Sequence, residues 1–74
     1  MSNDLDKAAV TAKKLPKRQQ QVLDGLGRCE SRKQIAARLK ISKNTVDVHC
    51  KILYARLGIH CLSQAIQIFH ALHN

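Results

Sequence analysis

The stretch "SRKQIAARLKISKNTVDVH", Ser31 to His49, decides how this chain folds. It holds two helix starts separated by a very short turn. Ser31 with Gln34 three residues later is a capping box: the serine hydroxyl accepts from the backbone N–H of Gln34, and the Gln34 side chain reaches back to that of Ser31. Ile35, Ala36 and Leu39 fall on one face, and Lys40 closes the helix. After Lys40 and Ile41 alone, Ser42 caps the next helix. Two capped helices across so tight a turn form a helix-turn-helix.

Reading onward, the third helix spans about Lys43 to Leu57, with Val46, His49 or Cys50, Leu53 and Leu57 as its inner stripe. Gly58 suits the left-handed residue that ends it, and Ile59 packs back on the last turn. Ser63 is expected to cap a fourth helix carrying Ala65, Ile66, Phe69 and Leu72. Reading backward, Pro16 starts the first helix, where a missing N–H does no harm. Leu15 is a poor cap. Val22, Leu23 and Leu26 repeat on one face, and Gly25 and Gly27 weaken the helix end by about 1 kcal/mol each relative to Ala. The chain turns at Arg28 to Glu30. Residues 1–14 read as a flexible or weakly helical N-terminal extension, with Leu5, Ala9 and Ala12 as its sparse apolar set, and residues 15–74 as the folded domain.

The totals fit an all-α class with four short helices around a thin core. The chain has 74 residues, Tyr54 and Phe69 are the sole aromatics, and no run of alternating β-branched residues is present. No apolar stretch is long enough to span a bilayer, and no signal-peptide h-region opens the chain, so a cytoplasmic protein without a membrane role is expected. Cys29, Cys50 and Cys61 are expected to be free thiols, two of them filling the core. His49–Cys50 and His60–Cys61 lack the short-range second ligand that a structural zinc site uses, so neither a metal nor another cofactor is expected. A nucleophile with a partnered base, a glycine-rich phosphate loop and a carboxylate pair are all missing, which argues against an enzyme. The net charge is +8, and from Leu15 onward ten Lys and Arg face three Asp and Glu. That excess lies in the folded part and favours a polyanionic partner, nucleic acid before membrane.

Taken together, these pieces resemble the LuxR/GerE-type DNA-binding domain, a four-helix effector module of bacterial transcription factors. The resemblance rests on "LPKRQQQVLDGL" (Leu15 to Leu26), "SRKQIAARLKIS" (Ser31 to Ser42), "NTVDVH" (Asn44 to His49), "LYARLGI" (Leu53 to Ile59) and "SQAI" (Ser63 to Ile66). It implies a stand-alone transcriptional regulator of bacterial or phage origin that binds double-stranded DNA, with the third helix in the major groove and the fourth as the seam of a homodimer. RNA polymerase or another regulator would be its protein partners.

On that reading Asn44, Asp47, Val48 and Lys51 are the base readers. Lysine donates to guanine, valine meets a thymine methyl, and an acid accepts from cytosine N4. Arg32, Lys33, Lys43, Thr45 and Arg56 would hold phosphates. Ala65, Ile68, Phe69 and Leu72 would line the dimer interface. Asp47 has a second reading, an ion pair with Lys43 or Lys51 four residues either side. Several residues depart from the family's habit: Ile52 where a polar residue is usual, Gln19 and Gln21 for acids, Cys29 for a turn glycine, and Leu62 for an arginine. Exposed aliphatics at Ile52 and Leu62 suit a protein surface. They support a rival function, an interaction module that pairs with another regulator and blocks it.

Overall fold

The computed structural model describes residues 4–73, with side chains placed from Lys7 onward. Within them the chain is all-helical: α1 (Asp4–Lys13), α2 (Lys17–Gly27), α3 (Arg32–Leu39), α4 (Lys43–Leu57) and α5 (Leu62–Leu72). The four helices expected from sequence are α2 to α5. The additional one, α1, occupies the segment read as a loose extension. Its Ala8 and Ala12 are buried, and it packs on α5 and, less extensively, on α4. Small residues at a four-residue spacing let α1 lie close, a signal too weak to stand out in so polar a stretch. Ala12 is one of the apolar residues expected there, Ala9 is only half-buried, and the side chain of Leu5 lies outside the described residues.

Local chemistry sets most helix ends. Pro16 is the residue before α2 rather than its first member, and no side chain caps that start. Gln20 covers the junction instead, its Nε2 donating to the carbonyls of Leu15 at 2.8 Å and Lys13 at 3.2 Å. The capping box of α3 forms on both sides: Ser31 Oγ accepts from Gln34 N–H at 3.1 Å, and Gln34 Oε1 accepts from Ser31 N–H at 2.8 Å. Ser42 Oγ accepts from Thr45 N–H at 3.0 Å. Lys40 and Gly58 end α3 and α4 in the left-handed conformation. The expected cap at Ser63 does not form. α5 starts at Leu62, two residues earlier than a cap at Ser63 implies, and the Gln64 side chain accepts from His60 N–H at 2.7 Å.

The core joins Val22, Leu23 and Leu26 of α2, Ile35 and Ala36 of α3, Val46, Cys50, Leu53 and Leu57 of α4, and Ala65 and Ile68 of α5. Cys50, not His49, takes the inner position on α4. Among the cysteines only Cys50 fills the core; Cys29 and Cys61 are exposed, against the expectation of two buried thiols. Gly25 and Gly27 weaken α2 for a reason of packing. A Cβ at Gly25 would stand 2.7 Å from Ile35 Cγ1, and one at Gly27 would run into the Phe69 ring. Their hydrogens let α3 and α5 close on α2.

Ala65 and Ile68, expected at a seam between two copies, belong to this core. They are at most 1 % exposed because α1 and α2 both pack on α5, so neither has surface to offer a partner. Phe69 and Leu72 stay half-buried.

Candidate nucleic-acid interface

With Val46, Cys50, Leu53 and Leu57 turned inward, helical periodicity leaves the opposite side of α4 to solvent. Lys43, Asn44, Thr45, Val48, Lys51, Ile52 and Arg56 are exposed there, and Asp47 is half-buried among them. Arg32 and Lys33, the first residues of α3, are exposed as well. All nine residues expected to meet DNA therefore reach solvent, and seven of them lie on α4.

Their charges are not equivalent. Arg32 Nη1 donates to Asp47 Oδ1 at 2.9 Å, and Lys43 Nζ donates to Asp47 Oδ2 at 3.2 Å. One carboxylate thus joins the start of α3 to the first turns of α4. Arg32 chiefly, and Lys43 second, hold the Asp47 carboxyl below its ordinary range, while the same hydrogen bond raises the Arg32 guanidinium. The Lys43 pairing is the one expected from four-residue spacing; the Lys51 pairing does not form. The Arg32 partner could not be read from sequence, because 15 residues and a turn separate it from Asp47. Lys33, Lys51 and Arg56 make no ion pair among the described residues. Thr45 Oγ1 lies 2.8 Å from Ser42 Oγ, so its hydroxyl is already engaged at the helix cap.

A second link fixes the turn before α3. Arg38 Nε and Nη2 both donate to Glu30 Oε1, at 3.1 and 2.9 Å. It clamps the α2–α3 turn, where Cys29 adopts a left-handed φ of 63°. Behind the surface, burial pushes the Cys50 thiol up, leaving it an inert filler. His49 is half-buried, with its Nδ1 enclosed and without a hydrogen-bond partner among the described residues.

Elsewhere the surface offers little chemistry. Three clefts of about 180, 270 and 350 Å³ lie along α1, the first against α4 and α5, the second against α2 and α5, and the third against α4. Each is shallow and open. Among the described residues no three His, Cys, Asp or Glu side chains converge as metal ligands, and no helix is long and apolar enough to cross a membrane.

The apolar part of the α4 surface is continuous. Val48 is 53 % exposed and Ile52, one turn on, is 38 % exposed. Leu62, at the start of α5, is exposed too. A helix bearing cations, an amide and aliphatic side chains on one open side can present hydrogen-bond donors and methyl groups together to base edges.

No curated protein and no solved structure matches the chain. The family described as "Bacterial regulatory proteins, luxR family" (GerE) matches residues 13–69, from the end of α1 into α5. The match holds both helices of the turn and the whole of α4 while leaving nearly all of α1 outside. The chain belongs to the LuxR family of bacterial regulatory proteins and carries its DNA-binding helix-turn-helix domain.

Proposed function

We propose that this protein is a sequence-specific transcriptional regulator that lays α4 in the major groove of double-stranded DNA and acts in the cytoplasm of a bacterial cell. Asn44, Asp47, Val48 and Lys51 read base edges; Arg32, Lys33, Lys43, Thr45 and Arg56 meet phosphates. The observation carrying this reading is the open side of α4, on which Asn44, Val48 and Lys51 are exposed beside the cationic helix starts. Lys51 matters most, because it stands in the third turn, one turn beyond Asp47, with no ion pair among the described residues.

Two copies on adjacent half-sites, about 34 Å apart, would supply the affinity that one small module lacks. The seam is α5, on which Phe69 and Leu72, packed against α2 and the core, keep part of their surface while Ala65 and Ile68 support the helix from within. The rival reading, a blocker that pairs with another regulator, is favoured by exposed Ile52 and Leu62.

Fluorescence anisotropy with a preferred duplex separates the two. Lys51→Ala should weaken binding roughly tenfold or more, a bidentate base contact being worth about 1–3 kcal/mol. Unchanged binding would remove Lys51 from the reading surface. Absence of binding by the native chain would favour the blocker.

A further inference from the structure

Asp47 places a negative charge at the centre of a surface otherwise suited to a polyanion, and it engages two cations there. We infer that Asp47 is a specificity filter: it competes with DNA phosphate for Arg32 and Lys43, and its release is compensated only where a base amino group replaces them. This inference rests on the proposed major-groove reading.

The geometry supports an exchange rather than a permanent lock. Arg32 donates to one carboxylate oxygen at 2.9 Å and Lys43 to the other at 3.2 Å, so both oxygens are used. The side chains remain accessible, at 43 % for Arg32, 57 % for Lys43 and 27 % for Asp47. Ion pairs this exposed are weak and are readily given up to another anion. Phosphate offers anionic oxygens to the same two donors, so one pair of cations cannot serve both fully.

Discrimination arises once the exchange has taken place. With the cations turned to phosphate, Asp47 is left as a bare carboxylate in the second turn of α4, between Lys43 and Lys51 in sequence. Facing phosphates or the acceptors of guanine and thymine, it is repelled. Cytosine N4 supplies a donor. Adenine N6 is poorer, because its neighbour N7 is an acceptor. On random DNA the two cations are therefore lost to Asp47 or the acid is stranded; opposite cytosine both costs are removed.

The test is a binding titration against random-sequence duplex across about 50–200 mM salt, where each phosphate contact adds about 0.9 to the salt slope. Asp47→Asn, with Asp47→Ala as a second neutral variant, should bind random duplex about tenfold tighter than the native chain at the low end. That advantage should shrink about threefold per regained contact as salt rises to the high end. In an Arg32→Gln/Lys43→Gln background the same change at Asp47 should bring only the smaller gain from removing a bare acid, without a steeper salt slope. A gain undiminished in that background would overturn the inference, because the acid would then act without its two partners. So would neutral variants that bind random duplex no better than the native chain.

Selection from the random pool examines the base half. A cytosine position recovered by the native chain and lost by Asp47→Asn supports it, and retention by the variant overturns it. If the native chain binds no duplex while Asp47→Asn does, the competition for Arg32 and Lys43 stands, but compensation by a base fails together with the reading of the native chain as a DNA binder. If neither binds, both fail.

Discussion

At the scale of single residues, Asp47 and Cys29 behave in ways their types do not announce. Asp47 accepts from Arg32 and Lys43, and its carboxyl titrates below the ordinary value of 3.8, Arg32 being the larger cause. A carboxyl depressed in the folded state contributes stability that is complete above the unfolded value and is lost as pH falls through the folded one. An NMR titration of Asp47 should therefore give a midpoint below 3.8, and Arg32→Gln should move it upward more than Lys43→Gln does. A native midpoint at or above 3.8 would contradict the pairing. Cys29 sits at a φ of 63°, in the region where an L-residue is disfavoured by roughly 1–2 kcal/mol. Its side chain is exposed, so little packing is lost on its removal. Cys29→Gly should raise unfolding stability by about 1 kcal/mol, a strain relief partly offset by the freer unfolded chain. Denaturant unfolding measures it, and a destabilised variant would mean that the turn does not hold that conformation.

At the scale of elements, the helices differ in how far their reasons are local. α3 and α4 are set by short-range chemistry, with serine caps before them and left-handed residues after them. α2 is held by its neighbours: it lacks a side-chain cap and carries two glycines, yet it packs against α3, α4 and α5. Gly27 separates intrinsic propensity from packing. Helix propensity favours Gly27→Ala by about 1 kcal/mol, whereas the Phe69 ring occupies the space a Cβ would need. Overpacking a core of this kind costs about 1–3 kcal/mol, so the substitution should lower stability in a denaturant melt. A stabilised Gly27→Ala would show that α5 can shift away from α2 without loss. α1 belongs to the same class, because it is fixed by burying Ala8 and Ala12 rather than by its own sequence.

At the scale of the whole molecule, sequence made the helix-turn-helix and α4 legible because Ser31, Gln34, Ser42 and Gly58 act within one helical turn of their effect. It also identified the exposed side of α4, since Val46, Leu53 and Leu57 fix the buried side by periodicity alone. Relations between elements were not legible. The Arg32–Asp47 bridge depends on the angle of the turn between α3 and α4, and the burial of Ala65 and Ile68 depends on where α1 lies. Two residues expected at a dimer seam, Ala65 and Ile68, lie in the chain's own core for that reason: an apolar stripe does not state which neighbour covers it. The family match likewise covers the helices with strong local signals and omits nearly all of α1.

The central claim is that α4 reads DNA sequence through Lys51 and its neighbours. Its most direct test is to incubate the purified protein with fragmented bacterial DNA at near-physiological salt and sequence what it retains, with Lys51→Ala in parallel. The account predicts a shared motif, roughly two-fold symmetric, recovered by the native chain and lost with Lys51→Ala. Recovery of nothing above background, or of a salt-sensitive mixture without a motif, would contradict it.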